Sequence, residues 1–124
     1  MIDIAGKTIA AMTDAFGTNP ASVLAFLGPA IGVCCNEVGP EVTAAWREIA
    51  ADLGDLRETA VTRPGPREHF DVPTANRLLL ERAGLLPEHI ETSPICTKCE
   101  RDHWFSHRGQ GPLTGRQGAI ICLV

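Results

Sequence analysis

The densest run of reactive side chains is CTKCERDHWFSHR, which carries the pattern Cys96-x2-Cys99-x3-His103-x3-His107. Thiolates and imidazoles are the ligand types zinc prefers. Two cysteines across a tight turn can both face one ion, and Cys99 and His103 can share a helical face. On this reading the chain is a small zinc-stabilised binding module. Against it, structural zinc sites usually take their second ligand pair from a separate element, and four ligands in so short a run strain a tetrahedral shell. The competing reading has Cys96 and Cys99 stabilising a turn, with His103 and His107 at the surface or in a cleft. A redox role for the CxxC pair is weaker still, because no thioredoxin-like context follows.

Two further segments carry groups that chemistry uses. In GPAIGVCCNEVGPE the glycines let backbone approach a ligand closely, and Cys35, Asn36 and Glu37 follow at a strand tip. Cys35 paired with His107 or His69 would make a nucleophile and base; the plainer alternative is a structural loop with two buried thiols. In SHRGQGPLTGR, Arg108 and Arg116 flank a glycine-rich loop with the hydroxyls of Ser106 and Thr114. Such arginines can grip phosphate through paired hydrogen bonds, or stand solvated on a surface turn. Trp104 and Phe105 offer a core anchor or a flat wall for a planar ligand. Trp46 is expected in the core, Asp71 at a helix N-cap, and His69 and His89 at the surface or locally bonded.

The elements that must position these groups follow from periodicity and punctuation. Residues 2–16 read as a helix closed by Gly17. Asn19-Pro20 opens a short turn, and Ser22 to Leu27 is a compact apolar run expected as a buried strand. A second helix starts at Pro40, with Val42, Trp46, Ile49 and Leu53 as its stripe and Gly54 at its end. TRPGPRE is a loop. Asp71 caps a third helix that stops at Gly84. Pro87 begins another short turn, His89 to Ile95 is a strand, and Gln117 to Val124 is expected as a terminal strand. The fold class is therefore α/β with few strands.

Composition bounds the function. The chain has 124 residues, 11 Lys+Arg against 15 Asp+Glu and a formal net charge of -4, with 44% hydrophobic residues. That is ordinary for one globular domain. No basic run offers an electrostatic footprint for nucleic acid. No apolar stretch reaches membrane-span length, and the N-terminus lacks the pattern of a secretory signal. Five cysteines, an odd number, fit a reducing compartment. Each cysteine has the plain reading of a small buried hydrophobe, Cys122 in the apolar run AIICLV among them.

Taken in order, LGPAIGVCCNEVGPEV, HFDVPTANRLLLERAGLLPEHIE, CTKCERDHWFSHR and TGRQGAII make the chain resemble the C-terminal half of the laccase-domain proteins, or multicopper polyphenol oxidoreductases. These are regarded as zinc-dependent purine nucleoside phosphorylases. The resemblance implies an α/β (α+β) fold of mixed sheets with helices packed outside. It implies phosphorolysis of adenosine, inosine, guanosine and methylthioadenosine, with adenosine deamination besides, in the cytoplasm. An older assignment, polyphenol oxidation with copper, is disfavoured because no histidine pair clusters as a multicopper site would require. Cys35, Glu37 and Gly39 match the family's CCYEVG block, with Asn36 at its usual aromatic. Ser106 and Arg108 match FFSYRR, with His107 at the usual Tyr. Thr114, Gly115 and Arg116 match TGR. By that resemblance Arg108, Arg116, Cys35, Glu37 and Thr114 would face phosphate or nucleoside. His103 falls at a variable position, which weakens the zinc module. The family's metal is held by two histidines and a cysteine in blocks of the type QVHG, TADC and HAGWRG, and none of these occurs here. The expectation is a single domain lacking its metal-binding part, with no metal ligands of its own and little activity alone.

Overall fold

Capping residues set the helix boundaries. In the computed structural model, which describes residues 2–122, helix α1 spans Ile4–Phe16. Asp3 caps it, its carboxylate accepting from the Gly6 N–H at 2.7 Å, and Gly17 ends it in the left-handed region at φ 65°. Helix α2, Pro40–Ile49, begins on proline, which needs no N–H donor there. Helix α3, Val72–Arg82, is capped by Asp71, which accepts from the Thr74 N–H at 3.0 Å. Short 3-10 turns occupy Pro20–Ser22 and Pro87–His89, as the Pro20 and Pro87 positions predict.

The strands are short and form two sheets. Strand β1, Ala25–Leu27, pairs in parallel with β5, Ile90–Thr92. Strands β2 (Glu37–Val38), β4 (Glu68–Phe70) and β3 (Val61–Thr62) form an antiparallel sheet in that order. A single parallel bridge, Ala30 to Cys96, extends the β1–β5 direction towards the cysteines. Helices packed around these sheets agree with the expected α/β class, with the parallel and antiparallel pairings in separate sheets rather than one mixed sheet.

Two cores hold these elements. The first centres on Trp46, which is 0% exposed and donates its indole N–H to the Arg57 carbonyl at 2.8 Å. Phe70 packs against it with ring centroids 5.6 Å apart, and Ala50, Ala60, Ala75 and Leu79 complete the cluster. The second joins Ile9 of α1, Leu80 and Leu85 near the end of α3, and Ile90 of β5.

Four expectations are corrected. Strand β1 is not a buried strand: it has one neighbour, and Phe26 on its open side is 62% exposed. Helix α2 stops at Ile49 rather than Gly54; the chain continues as a 3-10 stretch, Ala51–Ala60, broken where Gly54 takes φ 57°. Strands β2, β3 and β4 carry only two or three residues each, too few for an alternating pattern. Residues 117–122 form no strand, because their apolar side chains meet no partner strand among the described residues, and Cys122 is exposed. Residues 123 and 124 of that expectation lie outside the described range.

Candidate functional site

The fold brings together two cysteine pairs far apart in sequence. Cys34 and Cys35 end the glycine-rich loop after β1. Cys96 and Cys99 follow β5, placed by the Ala30–Cys96 bridge and by the Thr97 N–H donating to the Ala30 carbonyl at 2.9 Å. The ligand atoms of all four lie within 4.8 Å of one another. Cys99 Sγ stands 3.7 Å from Cys34 Sγ and 3.5 Å from Cys35 Sγ. All five cysteines are free thiols. Gly32 closes over the group: its N–H donates to Cys96 Sγ at 3.2 Å, and a Cβ there would stand 3.1 Å from Cys96 Cβ.

Crowded sulfurs share one negative charge unevenly. Burial alone would raise Cys96, but the N–H groups of Cys99, Gly32 and Lys98 aim at its sulfur and hold its pKa down to about 6. Cys99 has the opposite surroundings, and hydrogen bonds with Cys35, Cys96 and Cys34 push it up to about 12. Partial desolvation of its sulfur, then Cys96, raises Cys34. Cys96 thus carries the thiolate while Cys34 and Cys99 keep their protons, unless a cation offsets the further charge.

This assembly corrects one expectation and bears on another. Cys96 and Cys99 group with Cys34 and Cys35, and exposed His103 and His107 are not members of the group. The chain also brings four thiols close enough to hold a metal ion, where the missing family blocks suggested no metal ligands in this chain. The signal was present in GVCC beside CTKC, but no spacing rule links cysteines 64 residues apart.

The arginine loop meets the same edge of the molecule. Ser106 caps the single-turn helix α4, His107–Gln110, accepting from the Gly109 N–H at 3.2 Å. Arg108 reaches back and donates to the Glu37 carbonyl at 2.8 Å, joining the cysteine loop to the arginine loop. Phe105, His107, Thr114, Gly115, Arg116 and Gln117 line a shallow open groove. Arg116 donates to the carbonyls of Thr114 and Gly115, and the Thr114 hydroxyl to Gln110 Oε1 at 2.7 Å. Glu37 turns away to pair with Arg67 at 2.8 Å. Cys35 lies in the thiol group, not beside a histidine base: His69 Nδ1 is engaged with the Val33 carbonyl at 2.6 Å.

Residues 1–124 match the family described as multi-copper polyphenol oxidoreductase laccase. The chain belongs to this family. Among curated laccase-family relatives, purine nucleoside phosphorylase LACC1 of Mus musculus is 31% identical over 99% of this chain and 28% of its own length. An adenosine deaminase from an unidentified prokaryote is 35% identical, over 81% of this chain and 37% of its own. Purine nucleoside phosphorylase YlmD of Geobacillus stearothermophilus is 39% identical over 82% of this chain and 36% of its own. The YlmD crystal structure superposes with a TM-score of 0.77 at 33% identity, covering 86% of this chain and 39% of that one. The chain therefore spans about a third of the length of these laccase-family proteins. No helix among the described residues is long and apolar enough to cross a membrane.

The family's metal does not fit this donor set. Two histidines and a cysteine leave an ion open to substrate, whereas four thiolates close its coordination shell. The four-thiol group is thus no substitute for the missing blocks, because it leaves no open position for substrate.

Proposed function

We propose that this chain is the C-terminal part of a purine nucleoside phosphorylase domain working in the cytoplasm, and that it supplies the phosphate-facing loop. The observation that carries the reading is the Arg108–Glu37 hydrogen bond, which joins the two motif blocks beside the groove holding Arg116 and Thr114. The names of the relatives support phosphorolysis of purine nucleosides, and the family resemblance narrows these to adenosine, inosine, guanosine and methylthioadenosine. The relative named adenosine deaminase supports deamination as a second activity. Neither nucleic acid nor membrane is a partner in this reading.

In phosphorolysis a phosphate oxygen bonds to the sugar C1′, the bond from C1′ to the purine nitrogen breaks, and the purine leaves with the electron pair and takes a proton. What this chain contributes is position and charge. The guanidinium groups of Arg108 and Arg116 meet phosphate oxygens, and Thr114, its hydroxyl proton held by Gln110 Oε1, shapes the groove beside them. The exposed Phe105 ring is the flat apolar surface for the base. Cys35 and Glu37 shape the loop that Arg108 holds. The zinc of the family would polarise a substrate oxygen from ligands that this chain does not contain.

Titrating the chain with inorganic phosphate and with inosine, followed by amide NMR shifts, tests the reading. Shifts confined to residues 105–116, lost in Arg116→Ala, are expected. No shift with either ligand, or shifts unaffected by that substitution, would overturn it. Alone the chain is expected to show little or no inosine cleavage; robust cleavage surviving chelation would contradict that.

A further inference from the structure

We propose that Cys34, Cys35, Cys96 and Cys99 bind one structural zinc ion, separate from the metal of the family's reaction, and that this ion clamps the glycine-rich loop to the segment leading into the arginine loop.

Geometry carries the assignment. With zinc–sulfur bonds of about 2.3 Å, a regular tetrahedron has sulfur–sulfur edges of about 3.8 Å. The Cys34–Cys99 and Cys35–Cys99 separations are 3.7 and 3.5 Å, and no pair in the group exceeds 4.8 Å. One ion at the centre thus needs sub-ångström movement of side chains whose backbone is already placed. A disulfide would bring two of these sulfurs to bonding distance and strand the other pair. An iron–sulfur cluster spreads its four thiolates over two or four irons, so sulfurs on different irons stand further apart than the 4.8 Å seen here. Copper(I) also favours thiolates, but lower coordination suits it, and four convergent donors in a tetrahedron suit zinc.

The surroundings fit a metal–thiolate centre. The Gly32 N–H donates to Cys96 Sγ at 3.2 Å, the kind of outer contact that spreads charge from a bound thiolate. The close approach of Gly32 leaves no room for a larger residue to displace a ligand. The pairs come from two segments joined by only a few backbone hydrogen bonds, so four zinc–sulfur bonds would be the strongest link between them. The ligand set meets the two-element requirement that Cys96, Cys99, His103 and His107 fail.

The test is elemental analysis of the chain purified and dialysed under reducing conditions, with cobalt(II) replacement as a second readout. About one zinc per chain is expected, with four of the five cysteines protected from a thiol reagent until a chelator is added. The cobalt form should show intense sulfur-to-metal charge transfer and tetrahedral ligand-field bands. A paired His103→Ala, His107→Ala variant and Cys122→Ser should each keep the zinc and the cobalt spectrum. Cys34→Ser and Cys99→Ser should each lose the tetrathiolate signature; if one fails to fold, thiol protection in the unsubstituted chain decides. Less than a third of an equivalent of zinc, loss of zinc in the histidine variant, or stoichiometric copper or iron instead would overturn the proposal. These readouts need no enzymatic activity, so failure here leaves the phosphorylase reading standing, and the reverse holds too.

Discussion

Glu68 accepts hydrogen bonds from the Thr43 hydroxyl, Arg47 and Arg63, and these donors hold its carboxyl down to about 2. A carboxylate whose folded pKa is depressed stabilises the fold above its unfolded pKa of about 4.3 and loses that contribution as pH falls towards the folded value. Thermal stability should therefore drop between about pH 4.5 and pH 2, and Glu68→Gln should flatten that slope in melting curves recorded across the range. A similar slope in the variant would remove Glu68 as its cause. Asp71 makes a simpler case. Replacing this cap with Ala should cost about 1 kcal/mol in denaturant unfolding. Asp71 was legible in the sequence because a cap acts within one turn of its own chain. Glu68 was not, because its partners come from α2 and from the turn before β4, and no local pattern announces such a meeting. The cysteines divide in the same way. CxxC announces half of a metal site at once, while its other half depends on a bridge between residues 30 and 96.

Helices were legible as elements because proline, aspartate and glycine punctuate them, and the observed starts at Pro40 and after Asp71 follow those marks. The antiparallel sheet was not, since strands of two or three residues have no period to read. Their existence depends on the buried cluster in which Trp46 of α2 and Ala75 and Leu79 of α3 meet Phe70 of β4. Trp46→Ala should therefore cost about 3–5 kcal/mol and broaden the unfolding transition. The junction after α3 offers a backbone test. Gly84 holds φ 99°, and a Cβ there would meet Pro20 at 3.1 Å. Gly84→Ala should destabilise by about 1–3 kcal/mol, while Gly118→Ala, with open space around it, should be neutral. Equal melting temperatures for the two variants would show that the turn tolerates another conformation.

At the scale of the whole molecule, Arg82 ties three segments at one point. It donates to the Ile49 carbonyl at 2.8 Å, to Asp52 at 2.7 Å and to Asp3 at 2.6 Å. Asp3 also caps α1, so one guanidinium links the start of the first helix to the ends of the next two. Arg82→Met should cost about 2 kcal/mol, and hydrogen exchange should rise first in α1. No change in α1 protection would mean that Ile9 and its neighbours anchor that helix without the ion pair.

The pairing of β1 with β5 has a kinetic consequence. Alanine 25 must find isoleucine 90 across most of the chain, whereas β3 and β4 meet within the segment Val61–Phe70. Closing the long span costs chain entropy before any contact rewards it, so the hairpin and its covering helices should form the nucleus and the parallel pair should dock late. A cavity made on the late side should speed unfolding and spare the folding rate, and one made in the nucleus should do the reverse. Stopped-flow chevrons for Ile90→Val and Phe70→Leu would separate the two. On this order of events, a chain caught half-assembled carries its hairpin and helices in place while the two cysteine pairs are still apart.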